Sequence, residues 1–163
     1  MTTATEANAY LRTQVLTASP QQLRLMLLDG SIRFLQQAID GLGNKDYEAS
    51  YNGITQARAI VLELATSVSP DVDRELAERV RSVYMYLYRE LIDAGLVDII
   101  MVGHLRLNRS LPRLEKAADL LRYERETWAM LMEKVATERV ANTTDTPADT
   151  THSPEPTGFS AQG

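Results

Sequence analysis

The sequence predicts an all-α protein: an antiparallel four-helix bundle with an N-terminal cap segment and a disordered C-terminal tail. Glycine and proline are few, 8 and 6 in 163 residues, which leaves long uninterrupted stretches. Apolar residues recur along these stretches at the 3.6-residue period of a helix. The same pattern divides the chain into a cap segment over 1–16, a helical bundle over 17–137 and a tail over 138–163.

The clearest helix begins at Pro20 and is expected to end at about Gly41. Ser19 and Gln22 have the spacing of a capping box, and proline is well tolerated in the first turn of a helix. Large apolar residues then cover most of the helix circumference rather than one stripe. Two interpretations stand at this point. The helix is central in a self-contained bundle, or part of it lines a groove for the helix of another protein.

The segment before this helix supplies Tyr10, Val15 and Leu16 as apolar anchors. It is therefore predicted to fold back over the bundle as a removable cover.

Two further helices follow. The second is predicted from near Asp46 to near Val68, because its apolar residues repeat at seven-residue a/d spacing, as in a bundle seam. The third carries leucines and valines on one face from Leu76 to Ala94. Its three alternate tyrosines, residues 84, 86 and 88, cannot share a face, because a two-residue step turns about 200° around a helix.

The last part of the bundle is harder to divide. Residues 95–109 are predicted to be an extended helix pair with a turn near Asn108. Ser110 and Pro112 then resemble a second helix start, and Trp128 is expected to fill the core of the fourth helix. After about Thr137 the composition becomes rich in Thr, Pro, Ser and Ala, which predicts disorder.

Composition excludes several classes of function. The chain has no cysteine, so disulfides, thiolate chemistry and cysteine-based metal sites are absent. A formal net charge of -5 argues against nucleic-acid binding. Neither a secretory signal nor an apolar run of about 20 residues is found, so we expect a cytoplasmic protein without membrane insertion. No cofactor, phosphate-loop or metal motif occurs, and we expect neither cofactor nor enzyme activity.

One enzymatic alternative remains. Helical bundles with an exposed histidine can relay phosphoryl groups, and the sequence GHLR at 103–106 places His104 in such a context. The glycine and lysine pattern that would hold the phosphate is not present nearby.

Several residues carry a resemblance to a known family. Tyr10, Val15, the sequence TASP at 17–20, Leu23 and MLLDGSIRFL at 26–35 resemble the N-terminal half of the FliS family of flagellar export chaperones. YMYLYREL at 84–91 resembles the third helix of that family. Leu28 and Ala7 depart from the family pattern, and the 95–109 stretch is longer than the family's usual connection.

The resemblance implies a helical bundle that binds the C-terminal segment of flagellin, prevents its polymerisation and delivers it to a protein of the flagellar type III export gate. It implies no catalysis. The expected partner-binding residues line a groove around the first long helix, with one residue on the cover: Tyr10, Leu28, Ile32, Ile54, Arg58 and Tyr84. Whether the free protein forms a homodimer, and which flagellin it binds, stays open.

Overall fold

The computed structural model describes residues 2–71, 73–100 and 104–144. Within these ranges the protein is all-helical, with no strand. Five helices follow one another: α1 (Thr2–Thr17), α2 (Pro20–Gly43), α3 (Tyr47–Thr66), α4 (Arg74–Ile100) and α5 (His104–Thr144). The prediction of an all-α protein is thus confirmed for the described part of the chain.

Helices α2 to α5 pack in a ring. Helices α2 and α4 each pack against both α3 and α5. Two hydrogen bonds show how α2 and α5 run relative to each other. Asp29 of α2 accepts from Arg125 of α5 at 2.9 Å, and Gln36, later on α2, accepts from Arg122, earlier on α5, at 3.1 Å. Residue numbers that rise on one helix while they fall on the other mean that the two helices are antiparallel.

The start of α2 is formed as the sequence predicts. The Ser19 hydroxyl accepts from the Gln22 amide at 3.2 Å, and the Gln22 side chain accepts from the Ser19 amide at 3.0 Å. Both bonds satisfy amide groups that a helix start leaves without intrahelical partners. Helix α3 begins similarly, because Asp46 accepts from the Ala49 amide at 3.0 Å.

Helices α2 and α3 approach each other closely at Gly53. A Cβ atom at this position would lie 2.5 Å from the carbonyl oxygen of Phe34 and 2.8 Å from the amide nitrogen of Ala38. Real Cβ atoms essentially never come this close to backbone, so only glycine fits here. The crossing brings the apolar faces of the two helices into one core.

The core contains residues of all four packed helices. Its largest fully buried side chains include Tyr84, Leu28, Leu35, Ile54, Leu64, Leu87, Leu91, Leu114 and Leu121. Leu42 is also buried, the remaining large apolar side chains of α2 are half-buried, and none of them is exposed. Neighbouring helices thus cover most of the apolar surface of α2 in the closed bundle, and a groove around this helix stays a prediction.

The boundaries of α5 differ from the prediction at both ends. Asn108 does not form a turn but lies within α5, and Pro112 lies inside the helix rather than at its start. Ser110 is not a helix cap, since its hydroxyl is buried and donates to the carbonyl oxygen of Ala94 at 3.3 Å. At the other end, α5 continues to Thr144 instead of ending near 137, because Pro147 is the first helix-breaking residue after Pro112. Residues 138–144 of the predicted tail are thus helical, and the prediction of disorder for 145–163 falls outside the described residues.

Helix α1 contains residues of the predicted cap segment over 1–16, whose role as a removable cover stays a prediction. Its described side chains, from Asn8 to Thr17, are all exposed. The Ser19 cap and Pro20 start α2 as a separate helix, since proline disfavours helical geometry in the residue before it. The chain bends there, and the apolar side chains of α1 remain in solvent.

Candidate partner-binding surface

Helix α5 extends past the end of the bundle. It has 41 residues, whereas its antiparallel neighbour α2 has 24. The indole nitrogen of Trp128 donates to the carbonyl oxygen of Gln21, in the first turn of α2, at 3.1 Å. Residues of α5 well beyond Trp128 therefore lie past the start of α2, and we call residues 129–144 the α5 extension.

A cleft lies where the α5 extension leaves α2. It has a volume of about 400 Å3. Two residues at the start of α2 and six residues of α5 line it: Ser19, Gln21, Trp128, Leu131, Met132, Val135, Ala136 and Arg139. We call this cavity the end cleft.

The α5 side of the end cleft is an apolar stripe. Trp128, Leu131, Met132 and Val135 are spaced at i, i+3, i+4 and i+7, which places them on one face of the helix. Leu131 is 48% exposed and Val135 is 39% exposed. An apolar helical stripe that is accessible along about two turns is the arrangement that binds the apolar face of an amphipathic helix.

Trp128 is held in place by contacts with α2. The guanidinium of Arg24 lies between two aromatic rings, 5.1 Å from the centroid of Trp128 and 5.5 Å from that of Tyr84. A second cavity, of about 290 Å3, is also lined by Trp128 and includes Leu23 and Leu27. Trp128 thus contributes to two cavities.

Arg24 begins a chain of hydrogen bonds that includes the core residue Tyr84. Arg24 donates to the Tyr84 hydroxyl at 3.2 Å, and this hydroxyl donates to a carboxylate oxygen of Glu124 at 3.4 Å. Burial raises the pKa of Tyr84 above its ordinary value of 10.0, with the neighbouring cation Arg24 opposing this effect and Glu124 adding to it. The phenol is therefore neutral at physiological pH and joins α2, α4 and α5 through hydrogen bonds.

The sequence-predicted site residues do not form one surface. Leu28, Ile54 and Tyr84 are fully buried in the same core cluster. Ile32 is half-buried and packs against this cluster, and Arg58 is half-buried on α3. A partner that docks on the closed bundle does not reach the three core residues, and their role in partner binding stays a prediction.

Tyr10 lies apart from these five residues. It is on α1, 64% exposed, and its hydroxyl accepts from the Gln14 side-chain amide at 3.3 Å. The sequence-based reasoning missed the end cleft, because Met132 and Val135 have the spacing of a core stripe. The greater length of α5 compared with α2 would have indicated the end cleft. Comparing the two lengths, however, requires the correct start and end of α5.

Comparison with known proteins assigns the chain to a family. The family model described as "Flagellar protein FliS" matches residues 2–135. The chain belongs to the FliS family. This match covers α1 to α4 completely and includes α5 as far as the end cleft.

A characterised relative agrees with this assignment. The chain is 32% identical over 88 residues to the flagellar secretion chaperone FliS of Bacillus subtilis (strain 168). The match covers 54% of the present chain and 65% of the relative, slightly less than two thirds of its length. Both names denote a FliS flagellar protein, and the name of the relative describes a secretion chaperone rather than an enzyme. Among the helices that the structure describes, none combines the length and the apolar character needed to cross a membrane.

Proposed function

We propose that this FliS-family protein is a cytoplasmic flagellar export chaperone that binds the C-terminal segment of flagellin. The observation that carries the proposal is the end cleft. Its accessible residues Leu131 and Val135 continue a stripe that begins at Trp128, on a helix that extends past its neighbours. This surface suits a partner segment that forms an amphipathic helix.

The physical role of such binding is to cover apolar surface. A flagellin segment that will later pack inside a filament exposes an apolar face before assembly, and exposed apolar faces promote self-association. When the end cleft covers this face, the segment stays monomeric until export. No covalent step and no cofactor is required.

Export needs a second contact, to a protein of the type III export gate. We propose α1 for this role, with Tyr10 in the contact. Tyr10 and Leu11 are exposed on a helix whose described side chains, from Asn8 to Thr17, are all exposed. We also propose that the free protein forms a homodimer by burying Tyr10 and Leu11.

The test uses two adjacent residues of the α5 extension. Leu131 lines the end cleft, whereas Met130 is 64% exposed and does not line it. We expect Leu131→Asp to weaken binding of a fluorescent flagellin C-terminal peptide by about tenfold or more, the effect of about 1.4 kcal/mol. Met130→Asp adds the same charge one residue away and is expected to leave the affinity within about twofold, close to the small effects typical of surface substitutions.

Two results would contradict the proposal. If Leu131→Asp and Met130→Asp bind the peptide equally well, the end cleft is not the flagellin site. If the unmodified chain forms no complex with flagellin by size-exclusion chromatography after co-expression, the chaperone function itself is wrong. Thermal unfolding of each variant shows that a loss of binding is not a loss of folding.

A further inference from the structure

We propose that the acidic segment 145–163 binds back into the end cleft of its own chain through Phe159. This contact would make the segment an internal competitor of the flagellin segment. The docking itself is independent of the proposed function, and only the competition rests on it. Three features support the proposal: the reach of the segment, its single aromatic anchor and its charge.

The reach is ample. Residues 145–163 follow α5 directly, and α5 contributes most of the residues that line the end cleft. A chain extended from Thr144 to Phe159 spans up to about 50 Å. The distance back along α5 from Thr144 to Leu131 is only about 20 Å. Phe159 can therefore reach the cleft without any rearrangement of the helices.

Phe159 is the only large apolar side chain in the segment, which is otherwise rich in Thr, Pro, Ser and Ala. One ring is too little to form a core of its own, but it can enter a cleft lined by Trp128, Leu131 and Val135. Offset or edge-to-face contact between two aromatic rings adds to the gain from apolar burial.

The charges are complementary. The segment carries Asp145, Asp149 and Glu155 and has neither lysine nor arginine. Of the residues that line the end cleft, Arg139 is the charged one. The acidic segment therefore meets one cation, Arg139, where it enters the cleft. Opposite charges across an interface favour encounter and orientation.

Covalent connection makes a weak contact sufficient. A short flexible connection gives an effective concentration in the millimolar range, so a single aromatic anchor can fill the cleft for much of the time. A flagellin segment with several anchors displaces it, whereas weakly matching peptides do not. The segment would therefore act as a selectivity filter on the end cleft.

The chain contains one tryptophan, and this residue lines the cleft. Acrylamide quenching of Trp128 fluorescence therefore reports directly on cleft occupancy in the full chain without flagellin. We expect Phe159→Ala to raise the Stern–Volmer quenching constant by about twofold, because the tethered ring no longer covers the indole. The matched control is Thr157→Ala, which shortens a side chain of the same segment, keeps Phe159 and should leave quenching unchanged.

A synthetic peptide of residues 145–163, added to the Phe159→Ala protein, should restore shielding in a saturable manner. Raising the salt concentration from about 50 mM to about 500 mM should weaken this effect, because it screens the charges. Equal quenching of the unmodified and Phe159→Ala chains overturns the proposal. So does shielding that depends on protein concentration, which means that a second copy occupies the cleft. Loss of shielding in Val15→Ser but not in Phe159→Ala assigns the cleft to α1 and overturns it as well.

The two proposals fail in distinguishable ways. Tail docking is measured on the isolated chain, whereas the flagellin site is measured by comparing Leu131→Asp with Met130→Asp. If both hold, Phe159→Ala raises the affinity for the flagellin peptide by a factor of about the reciprocal of the fraction of cleft that the segment had left free. An unchanged affinity, together with confirmed tail docking, would mean that flagellin binds elsewhere.

Discussion

The indole nitrogen of Trp128 bonds to the carbonyl oxygen of Gln21 at 3.1 Å, and this contact joins the last helix to the first turn of α2. The guanidinium of Arg24, one turn further along α2, lies 5.1 Å from the centroid of the same indole. Two contacts from one helix thus fix Trp128 at the point where α5 leaves the bundle. They make the base of the end cleft rigid while the α5 extension beyond it stays accessible.

Arg24→Ala is expected to lower the free energy of unfolding by about 2 kcal/mol, since it removes two cation–π contacts and a hydrogen bond to Tyr84. Urea unfolding measures this change, and Trp128 emission should shift because the indole loses its cover. The control is Arg33→Ala. Arg33 also lies over a ring, 5.5 Å from the centroid of Phe34, but it is exposed, so the change should stay within about 0.5 kcal/mol. Equal losses in both variants would contradict the role assigned to Arg24.

Tyr84 gives the bundle a specific alkaline sensitivity. Its pKa is raised in the folded protein, chiefly by burial, so the unfolded chain loses this proton at a lower pH than the folded one. The stabilisation is complete below the ordinary pKa of 10.0 and is lost as pH rises from there towards the folded pKa. We expect the stability of the unmodified chain to fall more steeply above about pH 10 than that of Tyr84→Phe. Chemical unfolding at several values from about pH 8 to about pH 11 measures both slopes, and parallel slopes would contradict the assignment.

Much of the fold follows from local sequence. The capping box of Ser19 and Gln22 and the cap at Asp46 are short-range features, and the helices they start were predicted within two residues of their observed ends. The start of α5 was not, because Ser110 has the composition of a cap while its hydroxyl is buried against Ala94. Local composition cannot distinguish a capping serine from one that bonds to a neighbouring helix.

The candidate site could not be predicted from the helical periodicity of apolar residues alone. Leu28, Ile54 and Leu131 all lie on apolar helical stripes, yet the first two are buried and the third is 48% exposed. The difference comes from how far each helix extends relative to its neighbours. That relative position is set by contacts such as Trp128 with Gln21, which are 107 residues apart in the chain.

A substitution at Pro112 tests the observed start of α5. It lies well inside the helix, where proline removes a backbone hydrogen bond and its ring crowds the preceding turn. Pro112→Ala is therefore expected to raise the free energy of unfolding by about 1–3 kcal/mol. If the helix began at Ser110 instead, proline would occupy the first turn, and the substitution would be neutral or slightly destabilising. The free energy of unfolding measured by urea titration separates the two outcomes.

The close crossing of α2 and α3 makes the sharpest stability prediction. Gly53→Ala places a Cβ atom 2.5 Å from the carbonyl oxygen of Phe34, a backbone group that cannot turn aside. The helices must separate, which opens the core around them, and we expect a loss of about 3 kcal/mol or more. The control is Gly43→Ala, at the last residue of α2, where an added Cβ has no neighbour within 4 Å. That substitution should be neutral or stabilise the protein by up to about 1 kcal/mol, because it reduces the freedom of the unfolded chain. Similar unfolding midpoints for the two variants in urea would mean that the helices do not cross at Gly53.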